Sequence, residues 1–292
     1  MYYLLLALFY PISLLPLWLL YGLSDFAYLI IYKGMAYRKE VVHSNLRHAF
    51  PEKSPEEIET IMQRFFRSFC DQWIETVKLL TMSQASLKTR MQGNWDILHA
   101  VAASGKNAYL LTGHTFNWEW ANAAVAIHAP QTYACVYLPP SSAAFDQLML
   151  RLRTRFGAVM ISMKGLMRGF KRLQGEQHIL GLAADQNPAV VEVADWISFM
   201  HRDAPFFRGP EQMPRRAKAA VVLIGIRKER RGYYSATLER LTDDASHMEK
   251  GAILKGYVDF LERQLEAQPE NWLWSHRRWK HVRPEDEGKM KE

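Results

Sequence analysis

The chain opens on an unbroken apolar run. From Met1 to Ser24 no side chain carries a charge. At about 1.5 Å per residue, the stretch YYLLLALFYPISLLPLWLLYGL is long enough to cross roughly 30 Å of hydrocarbon as a helix. It reads as a membrane-associated helix. Pro11 and Pro16 are tolerated in lipid and can kink such a helix or lay it flat, while Tyr2, Tyr3, Trp18 and Tyr21 suit the two interfaces. A second apolar patch, Phe26 to Tyr32, extends this surface beyond Asp25. Residues 1–32 are therefore expected to form an N-terminal anchor. A cleaved signal peptide fits less well, for want of a basic n-region and a small-x-small cleavage site. A buried core helix is the other reading. Lys33, Arg38, Lys39 and Arg47 follow the segment and none precedes it, so the positive-inside rule puts the rest of the chain on the cytoplasmic side.

Beyond the anchor the periodicity changes. Met35 to Ala49 and Pro55 to Leu80 have helical apolar spacing, separated by Phe50-Pro51. Ser54-Pro55-Glu56-Glu57 supplies a cap, then Pro and acids in the first turn. Asn107–Thr112, Thr132–Leu138, Ala158–Ser162, His178–Ala184 and Ala219–Ile226 are short runs rich in β-favouring residues, spaced by helix-length stretches. That alternation predicts an α/β fold, a mixed, largely parallel sheet flanked by helices and preceded by the N-terminal membrane-associated helix. With no repeat and no Ser/Gly linker, residues 33–281 read as one domain and 282–292, VRPEDEGKMKE, as a flexible tail.

Composition narrows the chemistry. With 49% hydrophobic and 23% charged residues, disorder is excluded. The two cysteines, Cys70 and Cys135, match no metal spacing and no disulfide framework. The net charge of +7 favours anionic partners. It is concentrated: Gln147–Gly175 holds seven Lys or Arg and no acid, and His201–Arg240 ten against four. A nucleic-acid binder would use such stretches too, but no recognition module is present, so none is expected.

The stretch YLLTGHTFNWEWAN carries the candidate chemistry. A strand ends at Thr112, Gly113 permits a tight turn, and His114 precedes a helix starting near Asn117. Active-site residues favour this place at a strand's carboxyl end. His114 is the candidate general base, and Glu119, on the first turn of the helix, the candidate partner holding its ring through Nδ1. Five residues along a regular helix is about 140° of rotation, so that pairing requires His114 to precede the helix.

Taken together, six blocks in order resemble the bacterial lysophospholipid acyltransferase group, and specifically the late (secondary) lipid A lauroyl/myristoyl acyltransferases. They are the N-terminal segment, VVHSNLRHAFPEKSPEEIETI, the H-x4-E of GHTFNWE, the Arg pair of RLRTRFGAVMI, GLAADQNP and PENWLWSHRRWK. The resemblance spans nearly the whole chain. It implies a membrane-associated O-acyltransferase with His114 as base and Glu119 as its partner, and places Arg153, Arg155 and Asp185 at the substrate. It also implies an acyl carrier protein or acyl-CoA as donor, a lipid A precursor as acceptor and the inner membrane as location, the catalytic part on its cytoplasmic face. Two blocks depart from the family pattern, Leu138-Pro139-Pro140-Ser141 and Asp185-Gln186-Asn187-Pro188. The departures keep a glycerophospholipid, aminolipid or pigment hydroxyl open as alternative acceptor.

Moving an acyl group from a thioester to a hydroxyl needs a base, a donor or cation for the oxyanion and a greasy groove, and neither metal nor redox cofactor is expected. Arg153, or backbone amides after Gly113, are candidates for the oxyanion. Guanidinium groups such as Arg155 are matched to phosphate. Patterns for serine hydrolases, zinc proteases and nucleotide binders are absent. The rival from another class is a non-catalytic membrane-tethered scaffold, against which His114 and Glu119 at a strand-to-helix junction argue.

Overall fold

A computed structural model describes residues 1–283; all of the expected tail but Val282 and Arg283 lies outside the described residues. The elements run α1 (Tyr2–Leu14), α2 (Leu17–Tyr28), α3 (Lys39–Ala49), α4 (Pro55–Lys78), α5 (Gln84–Arg90), β1 (Met91–Gly93), α6 (Asp96–Ala103), β2 (Ala108–Thr112), α7 (Trp118–His128) and β3 (Thr132–Tyr137). They continue with α8 (Ala143–Thr154), β4 (Val159–Ser162), α9 (Leu166–Arg172), β5 (His178–Ala183), β6 (Asp195–Phe199), β7 (Arg202–Phe206), α10 (Gly209–Ala217), β8 (Ala220–Arg230), β9 (Tyr233–Thr242) and α11 (Ala252–Ala267).

The fold is α/β, as the alternation of strand and helix signals predicts. A seven-stranded sheet has the order β1-β9-β8-β2-β5-β3-β4. Every pairing within it is parallel except β8 with β9. Neighbouring residues of the central strands enter different cores. Tyr109, Leu111, Leu180 and Leu182 pack with α4, α11 and the tryptophans near 272, whereas Ala108, Leu110 and Ile179 pack with α6, α7 and α8. A strand buried on both faces needs apolar residues at every position, which is why β2 and β5 read as continuous apolar runs. Helix α4 starts as its cap sequence predicts: Ser54 Oγ accepts from Glu57 N at 3.2 Å and Glu57 Oε2 accepts from Ser54 N at 2.8 Å.

The N-terminal segment is helical and is kinked at one of its two prolines. It is broken at Leu15-Pro16 into two arms bent by 118°, and among the described residues no single helix is long and apolar enough to cross a membrane. Pro16 lacks an N–H, and its ring holds Leu15 in an extended conformation, so the first helix ends there. Both arms rest on the rest of the chain, α1 on α8 and α4, and α2 on α4. Polar contacts reinforce this across residue 32: Ser24 Oγ donates to Asp71 at 2.7 Å, and Arg231 bridges Asp25 and Asp71.

Candidate active site

The sheet register builds the site. In the β2–β5 pair, Thr112 stands opposite Ala183, so the residues leaving the two strands emerge side by side. Gly113 is needed here for closeness: a Cβ on it would lie 3.0 Å from Leu261 Cδ1 and 3.2 Å from Asp185 Oδ2. His114 and Asp185 then meet. His114 Nδ1 donates to Asp185 Oδ1 at 2.7 Å, and the His114 backbone N–H donates to Oδ2 at 2.6 Å. Trp272 Nε1 donates to the same Oδ2 at 2.7 Å. Tyr257, whose hydroxyl donates to Thr112 O at 2.8 Å, backs the turn.

Asp185 is 1% exposed, and the donors around it satisfy its charge. Burial alone would raise its pKa, but the His114 cation and these hydrogen bonds outweigh burial and hold it at about 2. Burial alone would lower the pKa of His114; Asp185 beside it prevails and raises it above 6.5. The ring's other nitrogen, Nε2, lies 3.3 Å from Gln186 Nε2, and the Trp118 ring meets it edge-on at 5.3 Å. An imidazole whose Nδ1–H is fixed by a carboxylate presents an Nε2 lone pair that can accept a proton.

Glu119 does not hold the histidine ring, contrary to the sequence-based expectation. Asn117 caps α7 by accepting from Glu119 N and Trp120 N at 3.1 and 3.0 Å, which puts Glu119 on the first turn with its carboxylate toward α8. There Arg153 grips it through Nη2 at 2.6 Å and Nε at 2.9 Å, and Trp118 Nε1 adds a bond at 3.1 Å. Burial lowers the pKa of Arg153, but Glu119 more than compensates and raises it, so the cation is permanent. It sits over the Tyr137 ring at 5.9 Å and its side chain is 21% exposed, at the edge of the site.

Two further expectations are corrected. Arg155 does not face the site: just past the end of α8, its Nη1 donates to the carbonyl of Leu79, the C-cap of α4, at 2.9 Å and to that of Met82 in the turn that follows. Asp185, expected at the substrate, is turned to the histidine: its oxygens are enclosed and bonded to His114 and Trp272. The His114 amide, spent on Asp185, is not available as an oxyanion donor.

Trp272 belongs to the PENWLWSHRRWK block, whereas the roles of Gln186, Tyr257 and Asn117 were not read from the sequence. Of these three, only Asn117 carried a local signal, as an N-cap residue two before Glu119. Among the described residues no group of three or more His, Cys, Asp or Glu side chains could hold a metal ion. The thiols are poor nucleophiles: burial pushes Cys135 up to about 11 and Cys70 up to about 12.

A family model described as bacterial lipid A biosynthesis acyltransferase matches residues 1–281. No curated protein matches the chain.

Proposed function

Because the chain belongs to the bacterial lipid A biosynthesis acyltransferase family, we propose that it moves a fatty acyl chain from an acyl thioester to a hydroxyl of a lipid A precursor, with His114 as base. The observation that carries this reading is the buried Asp185 clamped on His114 Nδ1 at the carboxyl ends of β2 and β5. Nε2 takes the proton as the acceptor oxygen attacks the thioester carbonyl. The tetrahedral intermediate collapses by breaking the carbon–sulfur bond, and His114 returns the proton to the leaving thiolate. No acyl-enzyme is needed. Asp185 stabilises the imidazolium formed between the two steps.

The Gln186 amide lies 3.3 Å from Nε2, where the incoming hydroxyl must approach, and once displaced from Nε2 its N–H can donate to the oxyanion. Glu119 acts through Arg153, holding that cation at the site edge for the oxyanion or a substrate phosphate. Further phosphate contacts fall to Lys164, Arg168, Lys171 and Arg172, which form no ion pair among the described residues and lie around α9, beyond the carboxyl end of β4. The donor is an acyl carrier protein or acyl-CoA. Mass spectrometry of total lipids from cells expressing the wild type or His114→Ala tests the reading. A wild-type-only gain of one acyl group on lipid A supports it, a gain on another lipid moves the acceptor to a glycerophospholipid, aminolipid or pigment, and no gain on any lipid contradicts it.

The membrane reading is supported by exposed apolar side chains on both N-terminal arms: Tyr3, Leu4, Leu8, Trp18 and Phe26 are each more than half exposed. Such a bent pair suits insertion into one leaflet, with the site on the cytoplasmic face of the inner membrane. Each of these side chains, half buried in lipid, contributes roughly 1 kcal/mol. A Leu4→Ser, Trp18→Ser, Phe26→Ser triple variant is thus expected to bind anionic vesicles about 10²-fold more weakly while melting like the wild type. Undiminished sedimentation with vesicles would exclude these arms as the anchor. Deleting residues 1–32 is not equivalent, because it strips Asp71 of its Ser24 partner and is expected to destabilise the protein.

A further inference from the structure

Glu75 of α4 is fully enclosed, at 0% exposure, and takes no part in the proton transfer above. Four donors from three separate segments converge on it. The Tyr21 hydroxyl of α2 donates to Oε1 at 2.7 Å, while Asn117 Nδ2 and the Tyr234 hydroxyl of β9 donate to Oε2 at 2.8 and 2.7 Å. Trp120 Nε1 donates to the backbone carbonyl at 2.8 Å. Asn117 is therefore fixed at both ends of its amide, Nδ2 on Glu75 and Oδ1 on the first N–H groups of α7. That first turn carries Glu119, which in turn holds Arg153.

A buried carboxylate costs stability unless its acceptors are filled, and here the filling groups come from the N-terminal arm, the sheet and the start of α7. We infer that Glu75 is a positioning residue for the proposed acyl transfer: through Asn117 it sets the first turn of α7, and with it the Glu119–Arg153 pair, relative to His114, and it ties that placement to the docking of α2 through Tyr21. The inference rests on the reading of His114 and Arg153 given above. Chain connectivity supports it, since only residues 115–117 separate His114 from α7, so a shift of the Asn117 cap displaces both sides of the site.

The experiment uses the full-length protein with an acyl thioester and the acceptor lipid found for the wild type. It also measures hydrogen exchange over residues 117–121 and the melting temperature. Tyr21→Phe removes one donor far from the substrate. It is expected to lower kcat about tenfold with KM nearly constant, and to speed exchange at the Glu119 and Trp120 amides. Glu75→Gln, which keeps an acceptor for Asn117, is expected to stay within about threefold of wild type, and Glu75→Ala to lose about 10- to 100-fold. A purely structural Glu75 would lower the melting temperature and leave kcat and local exchange unchanged in folded Tyr21→Phe; that result overturns the inference. If Glu75→Ala does not fold, Tyr21→Phe decides alone. If the wild type acylates nothing, the proposed function fails, while exchange at residues 119 and 120 still tests the positioning.

Discussion

Replacing His114 by alanine is expected to lower turnover by about 10² to 10⁴, the usual worth of a positioned general base. The ring is 21% exposed and its removal opens a small space at the site edge, leaving the two cores untouched. The variant should therefore fold, and should bind vesicles as the wild type does. Its loss should appear in kcat, since the missing interaction belongs to the transition state more than to substrate capture. Steady-state assays of the purified variant, with circular dichroism as the folding check, give the comparison. A His114→Ala enzyme working near the wild-type rate would remove the proposed mechanism altogether.

Asp185→Asn is expected to be nearly as damaging, about 10² to 10⁴ in kcat. Three donors, His114 N, His114 Nδ1 and Trp272 Nε1, share the two carboxylate oxygens. An asparagine offers one oxygen and one NH₂. Either a donor is left facing the amide hydrogens or the histidine takes the other tautomer, with its proton on Nε2, where it cannot act as base. Nitrogen chemical shifts of the His114 ring would report that tautomer directly. An unchanged tautomer together with unchanged kcat would mean that Asp185 only braces the loop.

Much of the architecture was legible because its causes are local. Strands such as Ala108–Thr112 and His178–Ala183 are apolar at successive positions, a pattern that burial on both faces requires. The cap at Ser54 and the end of β2 before Gly113 are equally local. The partner of His114 is not. Glu119 is five residues away in sequence and was the natural candidate, whereas Asp185 reaches the ring only because β5 lies next to β2 in the sheet order. Nothing in either segment announces that adjacency. Arg155 misled for a related reason: guanidinium matches phosphate, but it matches the free carbonyls at a helix end as well, and α4 supplies them. Strand β9 (Tyr233–Thr242) was obscured by its adjacent exposed charges, Glu239 and Arg240, which interrupt the alternation of buried Tyr234, Ala236 and Leu238. The hairpin of β6 and β7 was obscured by Pro205, a poor strand residue.

The central claim is that Asp185, and not Glu119, sets the base. The most direct test is the pH dependence of kcat/KM for the wild type, Asp185→Asn and Glu119→Gln. The base must be neutral, so activity falls as pH drops through the His114 pKa, and the neighbouring carboxylates raise that pKa above 6.5, Asp185 more than Glu119. The wild-type acid limb should lie above pH 6.5, and Asp185→Asn should move it down further than Glu119→Gln does. An acid limb that moves with Glu119→Gln and stays in place with Asp185→Asn would contradict the account.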